Sequence, residues 1–193
     1  MRDKDILAAG AGYAAWGYLF LYFNINFGPV SILPSFVGFI LFYNAIKMLE
    51  GLRRELSLLK PLAILLLLWH LAQWLLSWAG IDLGNVWDPL GHIITVTNLY
   101  FHFQLLTDFA ALARQYLPET PLSNKMLKWR SAQTVILTAV YLMGYSSGFK
   151  SGWLQGAALV LTCIYLFAAF LLMMELFNLR RQFRNLEYEA EEA

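Results

Sequence analysis

Three titratable side chains, His70, His102 and Asp108, interrupt long apolar segments of this chain. Such groups can bind a polar ligand, relay a proton, ligate a metal or take part in a hydrogen-bonded core. A metal or haem fits least well, because zinc sites usually combine three or four Cys, His or carboxylate ligands at tight spacing. The two histidines lie on different segments without a nearby thiol, so the sequence predicts neither a metal site nor a cofactor.

The segment around His102 carries further polar residues on two of its sides. At about 100° per residue, Thr95 and Asn98 fall on the side of His102, while Gln104 and Asp108 fall nearly opposite. Polar groups within hydrocarbon usually face a protein interior or a wet cavity. We therefore expect this helix to be surrounded by other helices.

The preceding apolar segment supplies partners for one of those sides. An antiparallel hairpin that turns near Gly84 places His70 and Gln73 close in depth to the polar residues of the next helix. If the two helices present these faces to each other, one polar cluster results near the middle of the bundle. Its predicted members are His70, Gln73, Asn98 and His102.

Asp108 lies about one turn inside the end of its apolar segment, where a lone carboxylate needs a cation or must carry a proton. Arg114 is too far along the helix for the usual contact between residues i and i+4. The better candidate cations are therefore Lys60, Lys128 and Arg130 from neighbouring segments. A structural ion pair and a proton or cation relay are both compatible with this pattern.

A stripe of four hydroxyls, Thr134, Thr138, Tyr141 and Tyr145, follows one face of a later apolar segment. The hydroxyls can bond to carbonyls of their own helix or to a neighbouring helix. Alternatively, they line a cavity opposite Gln104 and Asp108. On the cavity reading, the predicted ligand-binding residues are His70, Gln73, Asn98, His102, Gln104, Asp108, Thr138 and Tyr141.

Six apolar segments carry these residues. The chain of 193 residues is 59% hydrophobic and 14% charged, with a mean hydropathy of +0.53, well beyond the composition of a soluble domain. Each segment is longer than a barrel strand and lacks strict alternation, so we expect an all-α integral membrane protein. The predicted spans are 6–23, 32–48, 61–78, 90–112, 132–147 and 153–177, and residues 178–193 form an amphipathic and acidic tail.

The distribution of Lys and Arg predicts how these helices are oriented. Of 14 basic residues, 13 fall before the first span, after the last span or in every second connection, and the exception is Lys150. Basic residues in short loops are retained on the cytoplasmic side. We therefore expect three hairpins in the plasma membrane with both termini cytoplasmic. The 13 residues are Arg2, Lys4, Lys47, Arg53, Arg54, Lys60, Arg114, Lys125, Lys128, Arg130, Arg180, Arg181 and Arg184.

The first span carries a ridge of small residues, Ala8, Ala11, Gly12 and Ala15. This spacing lets two membrane helices approach closely, so the ridge either packs inside the chain or docks onto a partner subunit or a second copy. In size, span count and this ridge, the chain resembles the substrate-capturing S subunits of energy-coupling-factor vitamin importers. The resemblance implies a six-helix substrate-binding membrane subunit and assigns no binding residue.

The function classes follow from what is present and absent. The sequence lacks a P-loop, a dinucleotide glycine motif, a Gly-x-Ser-x-Gly elbow, a His-Glu-x-x-His motif and a kinase signature. Nothing indicates nucleic-acid binding. The sequence favours a substrate-binding or transport subunit for a small polar or amphipathic solute. The alternatives are an accessory or scaffold protein that acts through helix contacts and its tail, and a membrane-embedded enzyme that uses His70, His102 and Asp108.

Overall fold

A computed structural model of the chain describes residues 3–23, 26–27, 30–31, 34–80, 88–145 and 152–189. Residues 81–87, with the predicted turn near Gly84, and residues 146–151, with Lys150, lie outside the described residues, as does the acidic end from 190. Within the described part, six α-helices confirm the all-α prediction: α1 (Asp3–Tyr22), α2 (Ser35–Leu49), α3 (Lys60–Trp78), α4 (Asp88–Tyr116), α5 (Leu122–Tyr145) and α6 (Gly152–Glu189).

Short elements join these helices. Between α1 and α2, strands β1 (Asn26–Phe27) and β2 (Val30–Ser31) pair antiparallel. A 3₁₀ helix, Arg54–Leu59, leads directly into α3, where proline occupies the first turn and its missing N–H is harmless. After α3, Gly80 adopts φ of +66°, the left-handed conformation with which glycine commonly ends a helix.

The six helices form a closed ring in chain order. Each helix packs against the next, and α6 packs back on α1, with the thinnest contact between α3 and α4. Aromatic side chains fill the interior, where Tyr18, Phe39, Phe42 and Phe101 are fully buried. The ring therefore joins residues of α1, α2 and α4 that are far apart in the sequence.

The expectation that α4 is surrounded by other helices holds for its second half only. No residue from Phe101 to Ala113 is exposed, and His102 contacts Tyr18 of α1 and Phe42 of α2. The first half lies at the surface, where Ile93, Val96 and Tyr100 are exposed. Its threonines do not need surrounding protein, because Thr95 donates to the Gly91 carbonyl at 2.9 Å and Thr97 donates to the Ile93 carbonyl at 2.8 Å. A hydroxyl satisfied within its own helix says little about which neighbours surround that helix.

The small-residue ridge of α1 packs inside the chain. Ala8, Ala11, Gly12 and Ala15 are all buried, and a Cβ added at Gly12 would lie 3.1 Å from the side chain of Arg180 on α6. Internal packing was one of the two alternatives for this ridge. A contact of the same ridge with a partner subunit stays a prediction.

Two helical stretches, Arg54–Trp78 and Gly152–Asn185, are long and apolar enough among the described residues to cross a membrane. The apolar helix Ser35–Leu49 is shorter. The structure thus contains a six-helix bundle with two candidate spans by length and composition, and the six-span topology stays a prediction.

Candidate functional site

A narrow crevice between α4, α5, α6 and the end of α1 collects polar side chains from all four helices. We call it the His102 crevice. Its total space is about 280 Å³, of which about 20 Å³ can hold the centre of a water molecule. Its lining residues are Tyr22, Leu99, His102, Phe103, Leu106, Arg130, Gln133, Thr134, Leu137 and Tyr165.

His102 is held at the inner wall of the crevice by aromatic packing. Its ring lies 5.2 Å from Tyr18 and 5.5 Å from Phe42, measured between ring centroids. The Tyr18 hydroxyl and His102 Nδ1 share a hydrogen bond of 3.1 Å. The other ring nitrogen, Nε2, is buried and has no hydrogen-bond partner among the described residues. When Tyr18 donates to Nδ1, Nε2 carries the ring proton and is a donor.

Arg130 and Gln133 line the crevice from α5, three residues apart in the sequence. Arg130 Nη1 donates to Thr107 Oγ1 at 2.8 Å, and its guanidinium carbon lies 4.0 Å from the centroid of the Phe103 ring. Arg130 Nε and Gln133 Nε2 are buried without a hydrogen-bond partner in the described part of the chain. The crevice therefore combines a fixed positive charge with unused donor capacity.

Two tyrosines line the crevice from α1 and α6. The Tyr165 hydroxyl of α6 donates to the Tyr22 hydroxyl of α1 at 3.1 Å, and their rings meet edge to face. Tyr22 then keeps its own hydroxyl proton available. Thr134 adds less, because it donates to the Arg130 carbonyl at 2.9 Å.

The polar cluster predicted between α3 and α4 is only partly assembled. His70 stacks on Phe39 at 5.0 Å, and the same Phe39 ring lies 6.1 Å from His102, so one aromatic ring contacts both histidines. Asn98 Oδ1 is buried without a partner among the described residues. The side chain of Gln73 is exposed. Only the two histidines are therefore linked through a shared neighbour.

Asp108 has a cation, but it is none of the three that the sequence suggested. The carboxylate is fully buried and accepts a hydrogen bond from Arg53 Nε at 2.7 Å. Gln104 Nε2 donates to both carboxylate oxygens at 3.2 Å. Arg53 stands in extended conformation immediately before the 3₁₀ helix, which packs on α4. The expectation of Lys60, Lys128 or Arg130 was wrong because this turn carries Arg53 back to the bundle.

The predicted hydroxyl stripe of α5 divides among three different surroundings. Thr138 donates to the Thr134 carbonyl at 2.7 Å, within its own helix. The Tyr141 hydroxyl is hydrogen-bonded with His92 Nδ1 of α4, and the two rings meet edge to face. Of the stripe, only Thr134 lines the His102 crevice, and the Tyr145 side chain lies outside the described residues.

Five polar crevice residues, Tyr22, Arg130, Gln133, Thr134 and Tyr165, were not in the predicted ligand-binding set, although Thr134 belonged to the predicted hydroxyl stripe. A signal also existed for two of the others. Arg130 and Gln133 are spaced by three residues on α5, which places them on one helix face, and a glutamine inside an apolar segment is itself unusual. The two tyrosines gave no signal, because apolar helices commonly contain tyrosine near their ends.

The chemistry of the crevice is that of a donor-rich binding site. No group of three or more His, Cys, Asp or Glu that could hold a metal ion occurs in the described segments. The crevice presents a guanidinium, an amide, an imidazole and a phenol hydroxyl, and its lining includes no carboxylate. Such a set can hold and orient a polar ligand.

The chain shows significant similarity to no protein-family model, no curated protein and no solved structure.

Proposed function

We propose that this chain is a multi-pass plasma-membrane protein whose six helices cross the bilayer. Support comes from large apolar side chains exposed on every helix, whereas a soluble domain rarely exposes extensive contiguous apolar surface. Exposed examples, one from each helix in chain order, are Trp16, Ile40, Leu68, Tyr100, Val135 and Phe167.

Burial within the two most apolar helices supports the same proposal. Only 22% of the apolar window in Arg54–Trp78, which comprises the 3₁₀ helix and α3, and 28% of that in α6 is buried inside the protein. The core helix of a soluble protein would be mostly buried. Lipid is therefore the better solvent for these two surfaces.

The ion pairs support a cytoplasmic position for one end of the bundle. Arg53 pairs with Asp108, Lys60 with Glu50, and Lys125 with Glu175. All of these residues lie in or beside the connections that the distribution of basic residues assigns to the cytoplasm. Both termini belong to this end, since six crossings, as proposed, return the chain to the side on which it began.

Within this frame, the protein acts as a substrate-binding or transport subunit for a small polar or amphipathic solute. The observation that carries this proposal is the set of buried donor atoms on residues of the His102 crevice that have no partner in the described part of the chain. His102 and Gln133 are only 9% and 6% exposed, and a buried polar group without a partner costs about 1 to 3 kcal/mol. A ligand that satisfies these groups recovers that cost.

The test is a thermal-shift screen of detergent-purified protein against polar metabolites, vitamins and lipids. We expect at least one ligand class to raise the Tm, and His102→Ala to weaken that ligand about tenfold through loss of a buried hydrogen bond. Gln115→Ala is the control, because its exposed side chain lies outside the crevice lining and should leave binding unchanged. Absence of any stabilising ligand would contradict the proposal.

A scaffold protein is the second candidate, and the narrowness of the crevice favours it. The crevice volume open to the centre of a water molecule is about 20 Å³, which is room for roughly one water molecule. A larger ligand therefore requires the helices to separate. On this alternative, His102→Ala lowers the Tm of the protein, no solute binds, and the helical tail of α6 with its exposed Arg181 and Arg184 carries the interaction.

A further inference from the structure

We infer that the His102 crevice, when its helices move apart to admit a ligand, binds an oxyanion, a phosphate or carboxylate group held by Arg130, Gln133 and His102. This inference rests on the proposed binding function and specifies the chemical class of the ligand. The group is carried either by an anionic lipid or by a soluble metabolite.

The first step is the charge balance around Arg130. Among the residues that the structure describes, Arg130 forms no salt bridge, and its guanidinium donates only to the hydroxyls of Thr107 and Ser131. The neighbouring carboxylates are engaged elsewhere: Asp108 with Arg53 at 2.7 Å, and Glu175 with Lys125 at 3.7 Å. The positive charge of Arg130 is therefore not neutralised by an acidic side chain of the described segments.

The second step is the chemistry of the unpartnered donor atoms on three of the lining residues. Arg130 Nε and Gln133 Nε2 both carry N–H groups, and both are buried without partners in the described part. His102 Nε2 joins them as a donor when Tyr18 donates to Nδ1, and an amide and a phenol can adjust to an acceptor. An anion accepts several such bonds at once, and charge-assisted hydrogen bonds are about twice as strong as neutral ones. A cationic or purely apolar ligand would leave these donors unsatisfied.

The third step is the position of Arg130 along α5. It lies between the charged residues Lys125 and Lys128 and the uncharged stretch that begins at Ser131. On the proposed topology, this is the depth at which headgroup phosphates of the cytoplasmic leaflet meet the hydrocarbon. A lipid phosphate can reach this depth from the bilayer, and a soluble oxyanion can reach it from the cytoplasm.

The experiment measures binding of each source to full-length protein in neutral detergent. Equilibrium dialysis with radiolabelled inorganic phosphate at constant ionic strength reports the soluble source. Native mass spectrometry with phosphatidylglycerol, compared with uncharged phosphatidylcholine, reports the lipid source. The variants are Arg130→Gln and Gln133→Leu, and Lys128→Gln is the matched control because it removes the same charge from an exposed position on the same helix.

We expect wild type and Lys128→Gln to bind at least one of the two oxyanion probes. Arg130→Gln and Gln133→Leu should each bind it about tenfold more weakly, as expected for one lost charged or buried hydrogen bond. Circular dichroism checks that both variants keep the wild-type helix content. Binding of phosphatidylglycerol alone identifies a lipid source, and binding of free phosphate identifies a soluble one.

Wild-type affinity in Arg130→Gln, or no binding of either probe to folded wild type, would overturn the inference. Failure of the oxyanion inference can be distinguished from failure of the proposed binding function. A neutral solute whose affinity falls in Gln133→Leu and is unchanged in Arg130→Gln overturns the oxyanion inference and leaves the binding function intact. Absence of every ligand, neutral or anionic, overturns both.

Discussion

At the scale of residues, Asp108 shows how a fully buried charge is accommodated. Its carboxylate receives hydrogen bonds from Arg53 and Gln104, and Arg53 comes from a segment 55 residues earlier in the chain. Removing one partner of a buried pair leaves an uncompensated charge, whereas removing both does not. The pair therefore fastens the connection between α2 and α3 to α4.

We expect Arg53→Gln to destabilise the protein by about 3 kcal/mol, because it leaves the Asp108 carboxylate buried without its cation. Adding Asp108→Asn to this variant should restore most of the loss. Chemical unfolding in detergent, followed by circular dichroism, measures both changes.

The matched control is Lys60→Gln, which removes the partner of Glu50. Both groups of that pair are partly exposed, with side chains 28% and 32% accessible, so its loss should cost at most about 1 kcal/mol. Equal effects of Arg53→Gln and Lys60→Gln would contradict a special role for the buried pair.

We also expect the stability of the protein to depend on the hydrogen bond between Tyr18 of α1 and His102 of α4. Tyr18→Phe removes the hydroxyl that pairs with Nδ1 and leaves this buried nitrogen without its partner. We expect a loss of about 1 to 3 kcal/mol in unfolding free energy, measured by the same unfolding experiment. Tyr13→Phe, on the exposed face of α1, should change stability little, and a similar loss in both variants would refute this expectation.

At the scale of elements, α1 and α2 approach so closely that two glycines are required at their contact. A Cβ added at Gly38 would lie 2.8 Å from the backbone oxygen of Gly17, and one added at Gly17 would lie 2.7 Å from the Phe42 ring. A backbone atom cannot move aside as a flexible side chain can. This approach brings Phe39 and Phe42 of α2 against Tyr18 and His102.

Gly38→Ala should therefore destabilise the bundle by about 1 to 3 kcal/mol through overpacking at the contact of α1 and α2. Gly156→Ala on α6 is the control, because nothing lies within 4 Å of the added Cβ and alanine favours a helix by about 0.5 to 1 kcal/mol. Thermal unfolding of the two variants should shift the Tm in opposite directions. A wild-type Tm for Gly38→Ala would show that the two helices separate readily.

The elements also show where local sequence is a good guide. The apolar segments mark the six helices, but α4, α5 and α6 extend past the predicted spans to Tyr116, back to Leu122 and on to Glu189. Charged residues end an apolar segment, but they do not end the helix, since Glu, Lys and Arg are good helix formers. Hydropathy marks the part of a helix suited to lipid, and backbone hydrogen bonding continues beyond it.

At the scale of the whole molecule, the arrangement of charge and apolar surface makes a topological prediction. In a Cys163→Ser background, we expect Lys150→Cys to react with a membrane-impermeant maleimide on intact cells. Glu119→Cys and Arg181→Cys, both at exposed positions, should react only after permeabilisation, since basic connections remain cytoplasmic. Labelling at 119 or 181 from outside intact cells would overturn the proposed orientation.

The sequence by itself determined the features that depend on composition and local spacing. These are the helical class, the apolar segments, the placement of 13 of 14 basic residues and the presence of His102 and Asp108 within apolar surroundings. Each follows from the period of one helix or from the transfer energy of one side chain, which neighbours in the chain suffice to define.

Only the tertiary structure decided which of these side chains meet. Tyr18 and His102 are 84 residues apart in the chain, and Tyr22 and Tyr165 are 143 apart. Helical periodicity shows which residues share a helix face, but it does not show what that face packs against. For this reason Gln73 was predicted to join a buried polar cluster, whereas its side chain is exposed. Closure of the ring selects the partners, because it determines which faces of six helices are buried together.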